Sequence, residues 1–288
     1  VDFDFKRFAR VPILEEERLP FAVTKTSFRQ YTLHVDPADP AHAQALQDLC
    51  SAVIQQDRLT QIDAHAYLVE SGAVARIAEF RAARPRYSYR PDFIDLALLY
   101  LHIRSTRPES VLEYGSGVST VVMAHALHQN GRGRLVSLEP SQAWAEATRA
   151  AIPGDLRGFC EVVYSAGTSC DLDGRATVCF AERPIERPDM IYIDGAPEGA
   201  VFCGAENVAH LEATLRPDAA IFIDGRRHAV EFFLDPARAG RYSVLGWSVL
   251  LVDARNGRNL GPPFGMDQFA NAMVQVRPQV RDRAAIPA

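Results

Sequence analysis

The 288-residue sequence contains no apolar run near the roughly 20 residues needed to span a bilayer, so no membrane partner is expected. Its opening, Val1-Asp2-Phe3-Asp4-Phe5-Lys6, lacks a basic segment followed by an apolar stretch, and no signal peptide is expected. The five cysteines (Cys50, Cys160, Cys170, Cys179, Cys203) form no C-x-x-C pair, which argues against a zinc ribbon or a disulfide framework. They read as reduced, mostly buried thiols of a cytoplasmic protein. Neither sign of charge is in excess: 31 basic and 36 acidic residues leave a net −5, giving no electrostatic reason to expect a nucleic-acid partner. The G-x-S-x-G elbow and the Walker lysine are also missing, which lowers hydrolase and NTPase readings.

What is present is apolar bulk. Hydrophobic residues make up 48% of the chain, enough for a substantial core. Residues 1–40 read as irregular, interrupted by Pro12, Pro20, Pro37 and Pro40. Helical periodicity follows over 41–57 and 61–83, the latter carried by Ile62, Ala66, Val69, Val74, Ile77 and Phe80. The break Pro85-Arg86-Tyr87-Ser88-Tyr89-Arg90-Pro91 precedes a third helix over 92–105. An amphipathic helix pair must bury its apolar face, so the helices before residue 92 should cover a ligand pocket or form a homodimer contact. Tyr87, Tyr89 and Arg90 are then candidate lid residues.

Short apolar runs then alternate with helices, the signature of βα units on a mainly parallel sheet. Strands are expected at 110–113, 134–138, 161–164, 190–193 and 219–223, with helices at 118–128, 141–151, 203–215 and 226–234. Asp173-Gly174 suggests a hairpin with a strand over 176–180. The runs 242–247 and 249–254 have almost nothing between them, so they are expected to pair antiparallel; beyond about 256 the tail reads as irregular.

The segment Val111-Leu112-Glu113-Tyr114-Gly115-Ser116-Gly117-Val118-Ser119-Thr120 joins an apolar strand, an acid, two glycines and a helix start. The glycines let a ligand lie against bare backbone, and the helix N-terminus offers unpaired N–H groups. A carboxylate at Glu113 repels a pyrophosphate but attracts an ammonium. Glu139 closes the next strand, 22 residues after Gly117, where it can accept both hydroxyls of a ribose. A dinucleotide reading shares Glu139 but not Glu113, and expects a small residue where Thr120 stands. S-adenosylmethionine therefore ranks ahead of NAD.

Glu113 through Thr120 resembles motif I of class I S-adenosylmethionine-dependent methyltransferases, in an E-x-G-S-G-x-S-T variant. Val136-Ser137-Leu138-Glu139-Pro140 is similar to their second motif. Asp189-Met190-Ile191-Tyr192-Ile193-Asp194-Gly195 resembles the fourth-strand motif, whose terminal acid faces the methyl-transfer site. The expected hairpin over 242–254 is similar to the family's reversed last strand. The resemblance covers roughly residues 92–255 and implies an α/β fold, a Rossmann-like seven-stranded mainly parallel sheet in the order 3-2-1-4-5-7-6. Residues 1–91 are then an N-terminal helical extension and 256–288 a C-terminal tail. It also implies a cofactor site built from Glu113, Tyr114, Gly115, Ser116, Gly117, Ser119, Thr120, Glu139, Pro140 and Asp194, with adenine against Ser165-Ala166-Gly167. No acid occupies the first positions of that last loop, a departure from the family.

Methyl transfer from a sulfonium needs an aligned nucleophile and, where required, removal of its proton. Asp194 is the leading candidate base or substrate anchor, although an Asp-Gly turn explains it equally. Asp224-Gly225-Arg226-Arg227-His228 repeats the arrangement at the fifth strand, with Asp224 and His228 as further catalytic candidates; a surface histidine is the blander reading of His228. Asp194 and Asp224 together resemble metal-dependent O-methyltransferases similar to catechol O-methyltransferase, whose second acid is followed by Asn. Gly225 stands there instead, and no metal is assigned. His125 and His128 lie one turn apart but lack further ligands, so surface or interface positions are expected. Trp144, Phe222 and Trp247 are expected in the core or the pocket wall. The expected function is methyl transfer to an oxygen or nitrogen of a small molecule. The alternatives are a non-catalytic protein of the same fold and an NAD-dependent oxidoreductase.

Overall fold

A computed structural model describes residues 19–27, 30–34, 36, 38–84, 92–172, 175–182, 184–194, 215, 216, 218–224, 242–244, 250–253 and 274–278. The chain opens with strands β1 (Ala22–Ser27) and β2 (Gln30–His34), then helices α1 (Pro40–Glu70), α2 (Ala73–Ala83) and α3 (Phe93–Thr106). The alternating part follows as β3 (Ser110–Tyr114), α4 (Val118–Asn130), β4 (Arg134–Glu139), α5 (Gln142–Ala151) and β5 (Cys160–Tyr164). A hairpin of β6 (Gly167–Leu172) and β7 (Arg175–Phe180) precedes β8 (Met190–Ile193) and β9 (Ala220–Ile223). The last strands are β10 (Tyr242–Val244), β11 (Leu250–Asp253) and β12 (Val274–Pro278).

The main sheet runs β10-β12-β9-β8-β3-β4-β5. Its five strands from β9 to β5 are parallel neighbours, while β12 lies antiparallel to β9 and β10 antiparallel to β12. Parallel strands covered on both faces read as continuous apolar runs, and these do. Val111, Leu135, Met190, Tyr192 and Phe222 point into the core shared with α3 and α4. Leu112, Val136, Leu138, Ile191, Ile193, Ile221 and Ile223 alternate with them and are buried as well. Because the strands run the same way, Glu113, Glu139, Asp194 and Asp224 all arrive at one edge of the sheet.

Local chemistry sets the helix ends. Asp92 Oδ1 accepts from the Ile94 and Asp95 amides and starts α3. α1 stops at Ser71-Gly72, where Gly72 takes φ +80°. The break expected near residues 58–60 is therefore displaced to 71–72. Arg58, Leu59 and Thr60 suit a helix, and only Gly72 supplies the left-handed turn. Ile62 and Val69 fall on the solvent side, 66% and 52% exposed, while Ala64 and Leu68 face the core. α2 packs on α4 and α5, and α1 packs on α3. Among the described residues no helix is long and apolar enough to cross a membrane.

The structure corrects other expectations. The runs at 242 and 250 do form strands, but not with each other: β11 pairs in parallel with β2, and the partner of β10 is β12. Part of the supposedly irregular first forty residues is the β1–β2 hairpin. Pro20 precedes β1 and Pro40 opens α1, while Pro12 and Pro37 lie outside the described residues. The tail beyond 256 contributes β12, and its Val274-Gln275-Val276-Arg277 alternation was the available signal. The expected hairpin is present as β6 paired antiparallel with β7, Leu172 opposite Arg175, while Asp173 and Gly174 lie outside the described residues. Cys179 is disulfide-bonded, so the cysteines are not all reduced thiols. The helices expected at 203–215 and 226–234, with Trp247, lie wholly or almost wholly outside the described residues.

Gly133 feeds the chain into β4 at φ +88°, and a Cβ there would stand 2.4 Å from the Pro108 carbonyl oxygen and 2.7 Å from Leu127 Cδ2. Strain and overlap of this kind cost about 2–4 kcal/mol. Gly133→Ala should lower the unfolding free energy by that amount, seen as a lower urea midpoint at an unchanged slope. A wild-type midpoint would show that the turn relaxes freely.

Candidate functional site

The turn between β3 and α4 is held from below and from the side. Gly115 takes φ +97°, a conformation that favours glycine, and its amide donates to the Leu138 carbonyl at 2.8 Å. Ser137 Oγ donates to the Gly115 carbonyl at 3.1 Å. The Gly117 amide donates to Thr120 Oγ1 at 2.9 Å. Among the described residues nothing stands within 4 Å of a Cβ placed on Gly117, so they leave the space above the turn open.

Glu113 is fully buried beneath this turn. Ser119 Oγ donates to its Oε1 and Thr120 Oγ1 to its Oε2, both at 2.6 Å. Burial pushes its carboxyl up from 4.5 to about 7, against the pull of hydrogen bonds from Ser119, Thr120 and Ser137. The carboxylate expected to meet an ammonium directly is thus enclosed, and its visible work is to fix the first turn of α4. Because the folded value lies above the unfolded one, the folded protein keeps a proton that the unfolded chain releases between pH 4.5 and 7. Stability of the ligand-free protein therefore falls as pH rises through that window, by about 3 kcal/mol at 1.36 kcal/mol per unit. Glu113→Gln should flatten this part of the curve in thermal melts from pH 4.5 to 8. An unchanged slope would remove Glu113 as its source.

Glu139 ends β4 and reaches across the turn. Its Oε2 accepts from the Ser116 amide at 3.0 Å and from Ser116 Oγ at 2.9 Å, and its Oε1 accepts from the Ser141 amide at 3.0 Å. Burial raises its pKa, opposed by those donors and by nearby Arg84. Pro140 beside it is half-buried. Trp144, on α5, donates from Nε1 to the Ser116 carbonyl at 2.7 Å. Ser116 is thereby tied to both β4 and α5.

The other expected residues fall as follows. Tyr114 is buried, its ring 5.3 Å from that of Phe180, and its carbonyl accepts from the Asp194 amide at 2.9 Å. Ser165 is buried; its amide donates to the Glu139 carbonyl at 3.0 Å, while its Oγ accepts from the Glu182 amide at 3.1 Å. Ala166 and Gly167 are exposed at the rim. Asp194 and Asp224 end the adjacent strands β8 and β9, both half-buried, and the Asp224 amide donates to the Ile193 carbonyl at 2.9 Å. Tyr192 donates its hydroxyl to Asp224 Oδ2 at 3.3 Å. Burial, then Asp194 and Asp224, hold this phenol well above its ordinary pKa, so it stays a donor. His228, Tyr87, Tyr89, Arg90 and Gly225 lie outside the described residues.

His125 is buried, not on the surface: its Nε2 lies 3.0 Å from the Ser71 carbonyl and its ring stacks on Tyr100. His128 packs edge-on against Phe159. Among the described residues no group of three or more His, Cys, Asp or Glu converges as a metal site. An open groove of about 1010 Å³ between α5 and β5 holds none of the four carboxylates at the sheet edge.

Two residues at the site escaped the sequence reading. Ser137 left a signal, a hydroxyl inside an otherwise apolar strand. Arg84 left none, since a polar residue before a proline usually marks a solvated helix end.

Residues 112–225 match a family described as the methyltransferase domain. No curated protein matches the sequence. Among solved structures, an O-methyltransferase from Bacillus cereus in complex with SAH is 17% identical with a TM-score of 0.48, the match covering 74% of this chain and 96% of that one. The O-methyltransferase TomG from Streptomyces achromogenes, involved in tomaymycin synthesis and solved with SAM, is 17% identical with a TM-score of 0.46, over 73% and 90% of the two chains. A methyltransferase from Geobacter sulfurreducens is 18% identical with a TM-score of 0.42, over 71% and 89%. Residues 112–225 are thus similar to a methyltransferase domain, and their strands belong to an α/β, mainly parallel sheet.

Proposed function

We propose that this chain transfers the methyl group of S-adenosylmethionine to an oxygen or nitrogen of a small molecule. The observation that carries the reading is Glu139, a carboxylate on a strand end closing over an open, glycine-built turn. In this position it would accept hydrogen bonds from the two hydroxyls of the ribose. Gly115, Ser116 and Gly117 offer the methionine half bare backbone, and Ser119 and Thr120 hold that backbone through Glu113. Tyr114 and Pro140 wall the site, and Ser165, Ala166 and Gly167 flank the adenine. The sheet, counted over its seven strands, takes the order 3-2-1-4-5-7-6. The helices before residue 92 form the cover on the α5 side.

When bound, S-adenosylmethionine supplies a methyl group on a sulfonium that departs as a neutral thioether. Asp194, at the carboxyl end of β8, accepts the proton of the attacking group or anchors it. Asp224 sits beside it, oriented by the Tyr192 hydroxyl, and fixes the acceptor; His228 follows on the same connection as a further base.

Calorimetric titration with S-adenosylmethionine, S-adenosylhomocysteine and NADH tests the cofactor. Uptake of the first two is expected, whereas uptake of NADH alone would replace the reading with an oxidoreductase. Transfer of labelled methyl to a metabolite extract then tests turnover. Tight binding without any transfer would leave a binding protein of the same fold.

A further inference from the structure

Arg84 follows the last turn of α2 and is only 8% exposed, yet its Nη1 and Nη2 have no hydrogen-bond partner. The guanidinium carbon lies 3.6 Å from the Trp144 ring centroid, a stacking distance, and 5.3 Å from that of Phe80. Trp144 is itself tied to the Ser116 carbonyl. A planar cation is thus held flat on an indole that belongs to the cofactor turn, with its N–H edge idle. Glu139 is its electrostatic neighbour, but the two make no hydrogen bond.

Two bland readings do not account for this. Stacking on Trp144 leaves the N–H groups unexplained, since buried donors are almost always paired and an orphan is destabilising. Neutralising Glu139 is not enough either, because a charge partner that makes no hydrogen bond leaves both Nη groups unpaired. A hydroxyl, in contrast, both donates and accepts. A carboxylate uses only its proton and leaves its lone pairs for a donor on the other side.

We infer that Arg84 is a second ribose-binding residue, whose N–H groups donate to the oxygens of the same vicinal diol whose hydroxyls donate hydrogen bonds to Glu139. The inference rests on the S-adenosylmethionine reading of the site. Glu139 and Arg84 are then an acceptor and a donor matched to one nucleoside diol, the second delivered by the segment before the methyltransferase domain.

The test is calorimetry on the full chain and its Arg84→Met and Arg84→Lys variants, with S-adenosylhomocysteine and its 2′,3′-dideoxy analogue. Arg84→Met should bind S-adenosylhomocysteine about ten- to a hundredfold more weakly. Arg84→Lys should fall between, since it keeps the charge but not the planar fork. For the dideoxy analogue the difference between the unaltered protein and Arg84→Met should vanish. The ligand-free Met variant should melt at the same temperature or higher, because an unpaired buried charge has been replaced by an apolar chain. Undiminished affinity in Arg84→Met, an equal loss on the dideoxy analogue, or a lower ligand-free melting temperature would each overturn the inference. If the unaltered protein takes up no S-adenosylhomocysteine, the cofactor reading falls with it.

Discussion

Glu139→Ala should weaken binding of S-adenosylhomocysteine by at least about a hundredfold. Two hydrogen bonds from ribose hydroxyls to a buried carboxylate, at about 1.5–3 kcal/mol each, amount to between two and four powers of ten in affinity. The carboxylate is prepared for them: Ser116 and Ser141 fix both of its oxygens before any ligand arrives. The same contacts mean that alanine strands three donors, so a loss of about 1–3 kcal/mol in stability accompanies it. Glu139→Gln separates the two effects. It keeps an acceptor for Ser116 or Ser141 and should still lose about tenfold or more in affinity, because a neutral amide accepts more weakly and turns one donor toward the sugar. Full affinity in a folded Gln variant would place the ribose elsewhere.

The second large effect is expected at Asp194. Asp194→Asn should lower kcat by about a hundred- to ten-thousandfold, the usual range for removal of a general base, while leaving affinity for S-adenosylhomocysteine within about twofold. Its backbone position is secured without the side chain, since its amide is held by the Tyr114 carbonyl at 2.9 Å. Asparagine should therefore fold normally. Acceptors of lower pKa should lose less, because they arrive already deprotonated. A turnover equal to that of the unaltered protein would reduce Asp194 to a turn residue, as its Asp-Gly context also allows.

The parallel half of the sheet was legible because burial on both faces leaves a plain mark, a short apolar run closed by an acid or a turn. Met190–Ile193 was read to the residue, and Ser110–Tyr114 differed by one. Strand pairing was not legible where partners are remote. The run at 250 looks like the second arm of a hairpin, but its partner is Gln30–Leu33, more than two hundred residues earlier, and local pattern carries no record of that contact. Helix faces were misread at Ile62 and Val69 for a related reason. Periodicity shows that one face is apolar, not which apolar residues the core accepts.

At the site, the motif residues came together as their spacing suggested, but spacing could not reveal enclosure. Glu113 was legible as an acid under a glycine turn. Its complete burial, and the Ser119 and Thr120 hydroxyls that occupy it, depend on how α4 leans on β3. Arg84 lies 29 positions before Glu113 in the sequence, and only the packing of α2 on α5 brings it to the same place.

The most direct measurement is a crystal structure of the full chain grown with S-adenosylhomocysteine. The ribose hydroxyls are expected within about 3 Å of the Glu139 carboxylate, with the homocysteine half over Gly115 and Gly117. Density for the sugar away from Glu139, or a bare turn at saturating ligand, would contradict it.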